Sequence, residues 1–453
     1  MNGLDPNRHP LPDRERASEP GQEPRTVPPP AESDARLPRP AGWLRFAQGP
    51  LTHDQVLKNL EQIVSLLQTA QIGLGQIDTL LQELTTALSV GWSQRQHHPA
   101  PPDEMRALVA KRMATIEEIA RECRFHGRGL LDGQSGAVGS GKGLVFVRGG
   151  PNTATSPPEG YEARITEFPT RAAIVGGVTL NEDWVWAERE IFLAEGDRYV
   201  RFAPKRNESV LAFLADLQDQ VRAAGLDLEV GLTRQRRLAV RHTQYGSQFR
   251  FKGSSLTTPL LSRRPGKIEW SRKGKDIQGT LGGEPAFGIG RMLVGFLDNE
   301  KTSELAVVWK GDLAPPGAGY RCQVLQNGIL FQDGADPESP PLRISVPSFQ
   351  PPHLGRWVDT RSGFASLAAL RVDAWQEVLD GLYLLLAVQG EVIEWKDRLR
   401  AWIERYQNRA LLSLRQGMGM TVTRSVDSER ALRAERMASV LLDHIHAERR
   451  AAK

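Results

Sequence analysis

Two stretches of heptad apolar spacing, one toward each end of the chain, constrain this fold more than any other feature. In the first, Leu57, Leu60, Val64 and Leu67 recur at three-four spacing, and Leu74, Ile77, Leu81, Leu84 and Leu88 do the same. In the second, Val378, Leu382, Leu385, Val392, Leu399, Ile403 and Tyr406 keep the rhythm, with Gln389 and Lys396 at seam positions. A seam of this kind buries its apolar side only against another long helix. Read as one helix over residues 52–90, the first stretch is about 60 Å long at about 1.5 Å per residue. The spacing predicts that helix 55–88 lies along helix 378–406 with the leucine seams in contact. The two runs of the first helix are three residues out of phase around Gly73 and Gly75, which reads as a stammer. Gln389 and Lys396 are expected to fix register at some cost in stability.

What lies between the seams has a different pattern. From about Leu144 to Val346 the sequence reads as short strands and turns. Val200-Arg-Phe202 precedes a helix over 208–224, and strands follow at 226–230, 237–241 and 248–251. Strand, helix and three strands make a small α+β unit within 198–255. The fold class expected is α+β: a long antiparallel helical rod from the two end segments, with an inserted strand-rich middle domain. The boundaries implied are a tail at 1–50, a helical region at 51–135, the middle at 136–350 and a second helical region at 351–453. The helical pattern is expected to resume directly after Pro351-Pro352. Residues 1–50 hold eleven of the thirty prolines, and the first forty lack any aromatic, so this tail is expected to be disordered.

Composition excludes some classes. A net charge of +4 is too small to indicate nucleic-acid binding by itself. The longest apolar run, 382–388, is too short to cross a membrane, and no secretory signal pattern is present. Cys123 and Cys322 fall in different predicted segments and suggest neither a disulfide scaffold nor a zinc site.

Three motifs invite a chemical reading. His97-His98 lies on a polar turn with no third ligand nearby, and reads as solvated rather than metal-binding. Gly136-Ala-Val-Gly-Ser-Gly-Lys-Gly143 is close to a phosphate-binding loop, but Gly143 stands where Ser or Thr would hold magnesium, and a strand follows instead of a helix. It is expected to be a flexible glycine loop. Gly288-Ile-Gly290 lacks the third glycine of a dinucleotide fingerprint. No catalytic, cofactor-binding or metal-ligating residue is assigned, and no enzymatic activity is expected.

Residues 68–84, Gln-Thr-Ala-Gln-Ile-Gly-Leu-Gly-Gln-Ile-Asp-Thr-Leu-Leu-Gln-Glu-Leu, resemble the bacterial flagellin segment Q-T-A-E-G-A-L-x-E-I-x-x-x-L-Q-R-x-R-E-L. After a gap, residues 112–133, ending in Phe125-His-Gly-Arg-Gly-Leu-Leu-Asp-Gly133, are similar to the flagellin pattern R-L-x-E-I-D-R-I-A-x-x-T-x-F-N-G-x-x-L-L-D-G. Residues 359–370 and the helix after them are similar to the start of the flagellin C-terminal region, and 424–437 to a later part of it. The helix at 210–221 with 224–230 and 237–240 is similar to a small module of flagellins, hook-associated proteins and filament caps, and the Gly-rich 276–295 to another segment of those proteins.

The resemblance implies a structural protein of the bacterial flagellum, as a divergent filament or hook–filament junction subunit. Its partners would be flagellin or hook-associated subunits and the flagellar export machinery, with no membrane contact. It would be exported to the flagellum, or stay cytoplasmic if it does not assemble. The alternative within the same fold is a non-polymerising partner of flagellar proteins. A nucleic-acid-associated coiled coil is the alternative from another class, drawn from the Arg-rich span 398–450; those arginines read as ordinary helix surface, since no aromatic stacking platform accompanies them. In place of the apolar terminal arms of the family, this chain carries the Pro-rich 1–50 and a charged 447–453. Ordering a chain costs about 1–2 kcal/mol per backbone residue, which these segments offer little apolar surface to offset. The protein alone is therefore expected to remain monomeric or form small oligomers in salts that polymerise flagellins. Sedimentation and electron microscopy after seeding check this, and long homopolymeric filaments would refute it.

Overall fold

A computed structural model describes residues 52–417, apart from 96–97, 99, 312–319, 333–340 and the side chains of His53, Lys142 and Gln416. The expectations for 1–50 and 424–453, and for His97, lie outside the described residues. The protein is α+β, with a long helix at each end of the described chain and strands between.

Helix α1, His53–Ser93, starts where Thr52 and Gln55 form a reciprocal capping box. Its buried seam is Val56, Leu60, Ile63, Leu67, Ala70, Leu74, Ile77, Leu81, Leu84 and Leu88, an unbroken four-three alternation. There is therefore no stammer. Leu57 and Val64, expected in the seam, are only half-buried. Val56, Ile63 and Ala70 take that place because they continue the phase of Ile77 and Leu84. Gly73 does not mark a break either. A Cβ there would sit 2.8 Å from Leu131 Cδ1 and 3.0 Å from Cys123 Sγ, so a glycine lets the turn after the second helix close onto α1. That second helix is α2, Asp103–Glu122, which follows Pro102 and opens with Asp103 and Glu104 in its first turn. Met105, Val109, Ile116 and Ala120 bury its inner face.

Apart from two short hairpins, the strands form two bodies. The larger is an eight-stranded antiparallel sheet in the order Ala137–Lys142, Tyr320–Gln326, Tyr161–Glu167, Gln278–Leu281, Glu284–Ile289, Met292–Gly295, Ala306–Trp309, Leu144–Arg148. Its first and last strands are consecutive in the chain, separated by Gly143 alone, so the sheet curls until its edges meet. The curl encloses Phe146, Tyr161, Leu281, Leu293, Val307 and Val324.

The smaller body is inserted between Tyr161–Glu167 and Gln278–Leu281. It holds the short helix α3, Glu182–Ala187, the helix α4, Val210–Ala223, and two sheets. One sheet is ordered Arg171–Thr179, Arg237–Tyr245, Leu228–Leu232, and the other Glu269–Trp270, Lys252–Ser255, Ile191–Glu195, Arg198–Phe202. Ser209 caps α4 by accepting the Ala212 N–H. Phe213, Leu217 and Val221 on α4 join Leu193, Val200, Phe202, Leu228 and Val240 in one core. The expected strand at 248–251 begins instead at Lys252, in the other sheet from Arg237–Tyr245. Gly246, with φ at +120°, separates the two.

The second long helix, α5, spans Trp375–Gly417. It does not resume directly after Pro351-Pro352: residues 351–374 are turns with one 3-10 turn, Leu367–Ala369. Leu354, Val358, Phe364, Leu367 and Leu370 from this stretch and Phe349 just before it enter the helical core, as do Ile329, Phe331 and Ile344 from the hairpin Ile329–Phe331 and Leu342–Ile344. α1 and α5 run antiparallel. Trp92 meets Trp375 edge-on at 6.5 Å, and Asp78 meets Gln389 and Lys396 further along. The expected residues Leu60, Leu67, Leu81, Val378, Leu385 and Leu399 are all buried in this one core, whereas Leu382 is only half-buried. Among the described residues no helix is long and apolar enough to cross a membrane.

Candidate functional site

The polar positions of the seam come together. Asp78 is 5% exposed. Lys396 Nζ donates to its Oδ2 at 2.6 Å, Gln82 Nε2 to its Oδ1 at 3.3 Å and Gln389 Nε2 to the same oxygen at 3.5 Å. Gln389 and Lys396 are one heptad apart and straddle the carboxylate. Sliding α5 by a heptad would leave Asp78 with only one of them, which makes this cluster a register lock. Sequence spacing located Gln389 and Lys396 but missed Asp78, because a lone acid on a mostly polar helix carries no signal of burial.

The two glycine motifs are explained by packing. The phosphate-loop look-alike is no flexible loop. Residues 137–142 are a full strand, with Ala137 to Lys142 paired to Gln326 to Arg321. A Cβ on Gly136 would lie 2.0 Å from Val346 O, and one on Gly139 2.6 Å from both Gln323 O and a Phe146 ring carbon. The glycines admit neighbouring backbone, and Gly139 and Gly141 lie within the paired strand. Wild-type protein should show no saturable ATP binding by calorimetry, and Lys142→Ala should change nothing; binding abolished by that substitution would contradict this. Gly288 likewise faces Ile277 O, 1.7 Å from where a Cβ would be, and Gly290 has φ at +56°.

Two titratable groups lie deep in the smaller body. His242 Nε2 meets Glu195 Oε1 at 2.7 Å, while its Nδ1 accepts the Gln244 N–H at 2.9 Å. The accepted bond at Nδ1 places the proton of the neutral ring on Nε2. Burial works to raise the Glu195 pKa, but the hydrogen bonds from His242 and the Asp227 N–H, with the Arg198 charge, outweigh it and hold the carboxyl below its usual range. Both ring nitrogens are committed, so the imidazole has no free nitrogen lone pair to offer a substrate. The two thiols are similarly unreactive in kind: burial, aided by Asp132, pushes Cys123 up to about 11, and burial pushes Cys322 up to about 12. Among the described residues no group of His, Cys, Asp and Glu is arranged to hold a metal ion.

The most distinctive surface is one the sequence reading passed over. Residues 233–275 contain twelve Lys and Arg and a single acid, Glu269. The strand register places one of them, Lys252, on an open sheet face among aromatic neighbours, while Arg237 and Arg241 belong to the other sheet. Trp270 stands opposite Lys252, Lys252 opposite Ala194 and Ala194 opposite Tyr199; beside that row, Ser254 stands opposite Phe192 and Phe192 opposite Arg201. Alternation puts all of these on one side of the sheet and turns Ile191, Leu193, Val200 and Phe202 toward the core. Trp270 is 53% exposed and Tyr199 62%. The Arg250 guanidinium lies 4.1 Å from the Trp270 ring centroid, Lys252 Nζ 4.6 Å from it, and Arg201 5.9 Å from Phe192. Phe192, Ala194, Gly196 and Tyr199, with the charged Asp197, Arg198 and Arg201, line an open depression of about 310 Å³. Arg201 pairs with Glu190 at 3.6 Å, but Arg250, Lys252, Arg263, Arg264, Arg272 and Lys273 have no ion pair among the described residues. A local charge count would have found this patch, which the near-balanced total charge conceals.

No family model matches the chain, and no curated protein matches it in sequence. Among solved structures, it is similar to the D2-D3 domains of the flagellar cap protein FliD from Escherichia coli, with TM-score 0.28 and 11% identity, over 42% of this chain and 99% of that one. It is similar to the D1-D2-D3 domains of the same protein at TM-score 0.27 and 11% identity, over 44% of this chain and 60% of that one. It is similar to flagellar hook-associated protein 3 from Legionella pneumophila at TM-score 0.21 and 12% identity, over 82% of this chain and 97% of that one.

Proposed function

We propose that this chain is a structural subunit of a bacterial flagellar assembly, of the hook–filament junction kind rather than a bulk filament flagellin. The observation that carries the reading is where the two flagellin-like segments lie. Residues 68–84 sit on α1 and 112–133 run from α2 into the turn after it, and the two touch: Gly73 admits Leu131 and Cys123, and the Cys123 thiol lies 3.5 Å from Thr69 O. Two patterns collinear in sequence thus form one packed unit, closed by α5 from the far end of the chain. Such a unit serves assembly without any catalytic step, and the proposal assigns none.

The experiment uses an antibody against the full chain. In flagellated cells that carry the gene, the protein should appear in the sheared-appendage fraction, and should remain inside cells when the flagellar export gate is deleted. Deleting its own gene should impair swimming. Retention inside cells of both strains, with normal swimming in the deletion, would overturn the reading.

A further inference from the structure

We infer that the open sheet face around Trp270, Lys252 and Tyr199 binds single-stranded nucleic acid, with phosphates on the cations and bases on the rings. The inference stands independently of the flagellar reading.

Charge comes first. Twelve basic residues against one acid within 233–275 gather positive charge along this segment, and Arg250 and Lys252 bring it to the Trp270 ring. Arg250 and Lys252, the two at the Trp270 ring, lack an ion pair among the described residues, which leaves their charge for a ligand. Most of the twelve are Arg, whose planar fork suits phosphate oxygens.

The aromatics then narrow the class of polyanion. Trp270 and Tyr199 stand in one row with Lys252 between Trp270 and the small Ala194. A sulfated polysaccharide would satisfy the cations and leave the rings without a planar partner. A single strand supplies both, because every base has a π-face and stacking tolerates any sequence. A duplex supplies phosphates, but its bases are already stacked on each other and are withheld from the rings. The row from Trp270 to Tyr199 crosses three strand spacings, about 14 Å at about 4.8 Å each, which gives room for a few nucleotides. Ala194, Gly196 and Ser254 keep the middle of the face low, so a strand can lie across it.

The test is fluorescence anisotropy of labelled oligo-dT with the full-length protein, with heparin and a duplex of equal length as rivals. Saturable binding is expected, weakening about 100-fold between 50 and 200 mM salt if about five phosphates are neutralised. Trp270→Ala should weaken it about 5- to 150-fold, Trp270→Phe much less, and Arg250→Glu with Lys252→Glu should abolish it. These side chains are exposed, so circular dichroism should be unchanged; Tyr199→Ala provides a second variant should Trp270→Ala disturb the fold. Three results would each overturn the inference: no saturable binding, binding indifferent to both ring substitutions with heparin an equal rival, or a duplex bound as tightly as the single strand.

Discussion

Glu188→Ala should destabilise the smaller body by about 3–5 kcal/mol, the largest effect expected of any single substitution here. Glu188 is 3% exposed and follows α3 directly. Its Oε1 accepts the N–H groups of Leu256 at 2.8 Å, Thr257 at 3.0 Å, Arg189 at 3.1 Å and Glu190 at 3.2 Å. Its Oε2 accepts the Thr258 N–H at 2.9 Å and the Thr258 hydroxyl at 2.5 Å. Truncation orphans the two buried Thr258 donors together with four part-buried N–H groups and releases the 256–258 loop from α3. Urea unfolding of the variant at pH 7 tests this, and a loss below about 1 kcal/mol would contradict it.

The same carboxylate gives an acid dependence with a definite sign. Burial alone would raise its pKa, but the hydrogen bonds from Thr258, Thr257 and Glu190 outweigh burial and hold it below the usual range. A group depressed in the folded state binds fewer protons there than in the unfolded chain. Its contribution is therefore complete above the unfolded carboxyl pKa of about 4.3 and is lost as pH falls through the lower folded value. Wild-type protein should lose stability below about pH 4 more steeply than Glu188→Gln, which has no proton to take up.

Lys396→Met should cost about 2–3 kcal/mol. Removing one partner of a buried pair leaves the other charge stranded, an effect of about 3–5 kcal/mol when both are fully enclosed. The Lys396 side chain is 26% exposed and that of Asp78 7%, so solvent reduces the figure. Adding Asp78→Leu to Lys396→Met should recover most of the loss, because two apolar groups suit the surrounding leucines. That double variant should also relax the register of α5 against α1, seen as a cysteine pair placed one heptad out of step becoming cross-linkable. A double variant as unstable as Lys396→Met alone would show that the pair contributes more than mutual neutralisation.

Periodicity made the helices legible, and it failed where side-chain size obscured it. Leu57 and Val64 attract the eye as larger residues, yet Val56, Ile63 and Ala70 hold the seam. Ala70 is too small to announce itself. Gly73 looked like an interruption because a sequence shows a missing side chain and not the Leu131 that fills the space. The strand–helix core of the smaller body was legible from 200 to 241, since α4 has a clean apolar face and the strands alternate. The curled sheet was not, because its closure pairs Ala137–Lys142 with Tyr320–Gln326, and pairing at such distance leaves no local trace. The Trp270 face stayed hidden for a related reason: its members come from 192–201, 252–254 and 270, and only the register sets them side by side.

The antiparallel closure of α1 by α5 also sets a clock. Asp78 and Lys396 are separated by 318 positions in the chain. At about 5–20 residues per second of synthesis, roughly 16–64 s pass before the partner of α1 exists. Through that interval Leu60, Leu67, Leu74 and Leu81 have no α5 to cover them, while the inserted strands and α4 are complete and free to fold. The nascent chain is thus a finished middle flanked by an adhesive leading segment, a state that a helix-binding chaperone would recognise and that self-association would exploit.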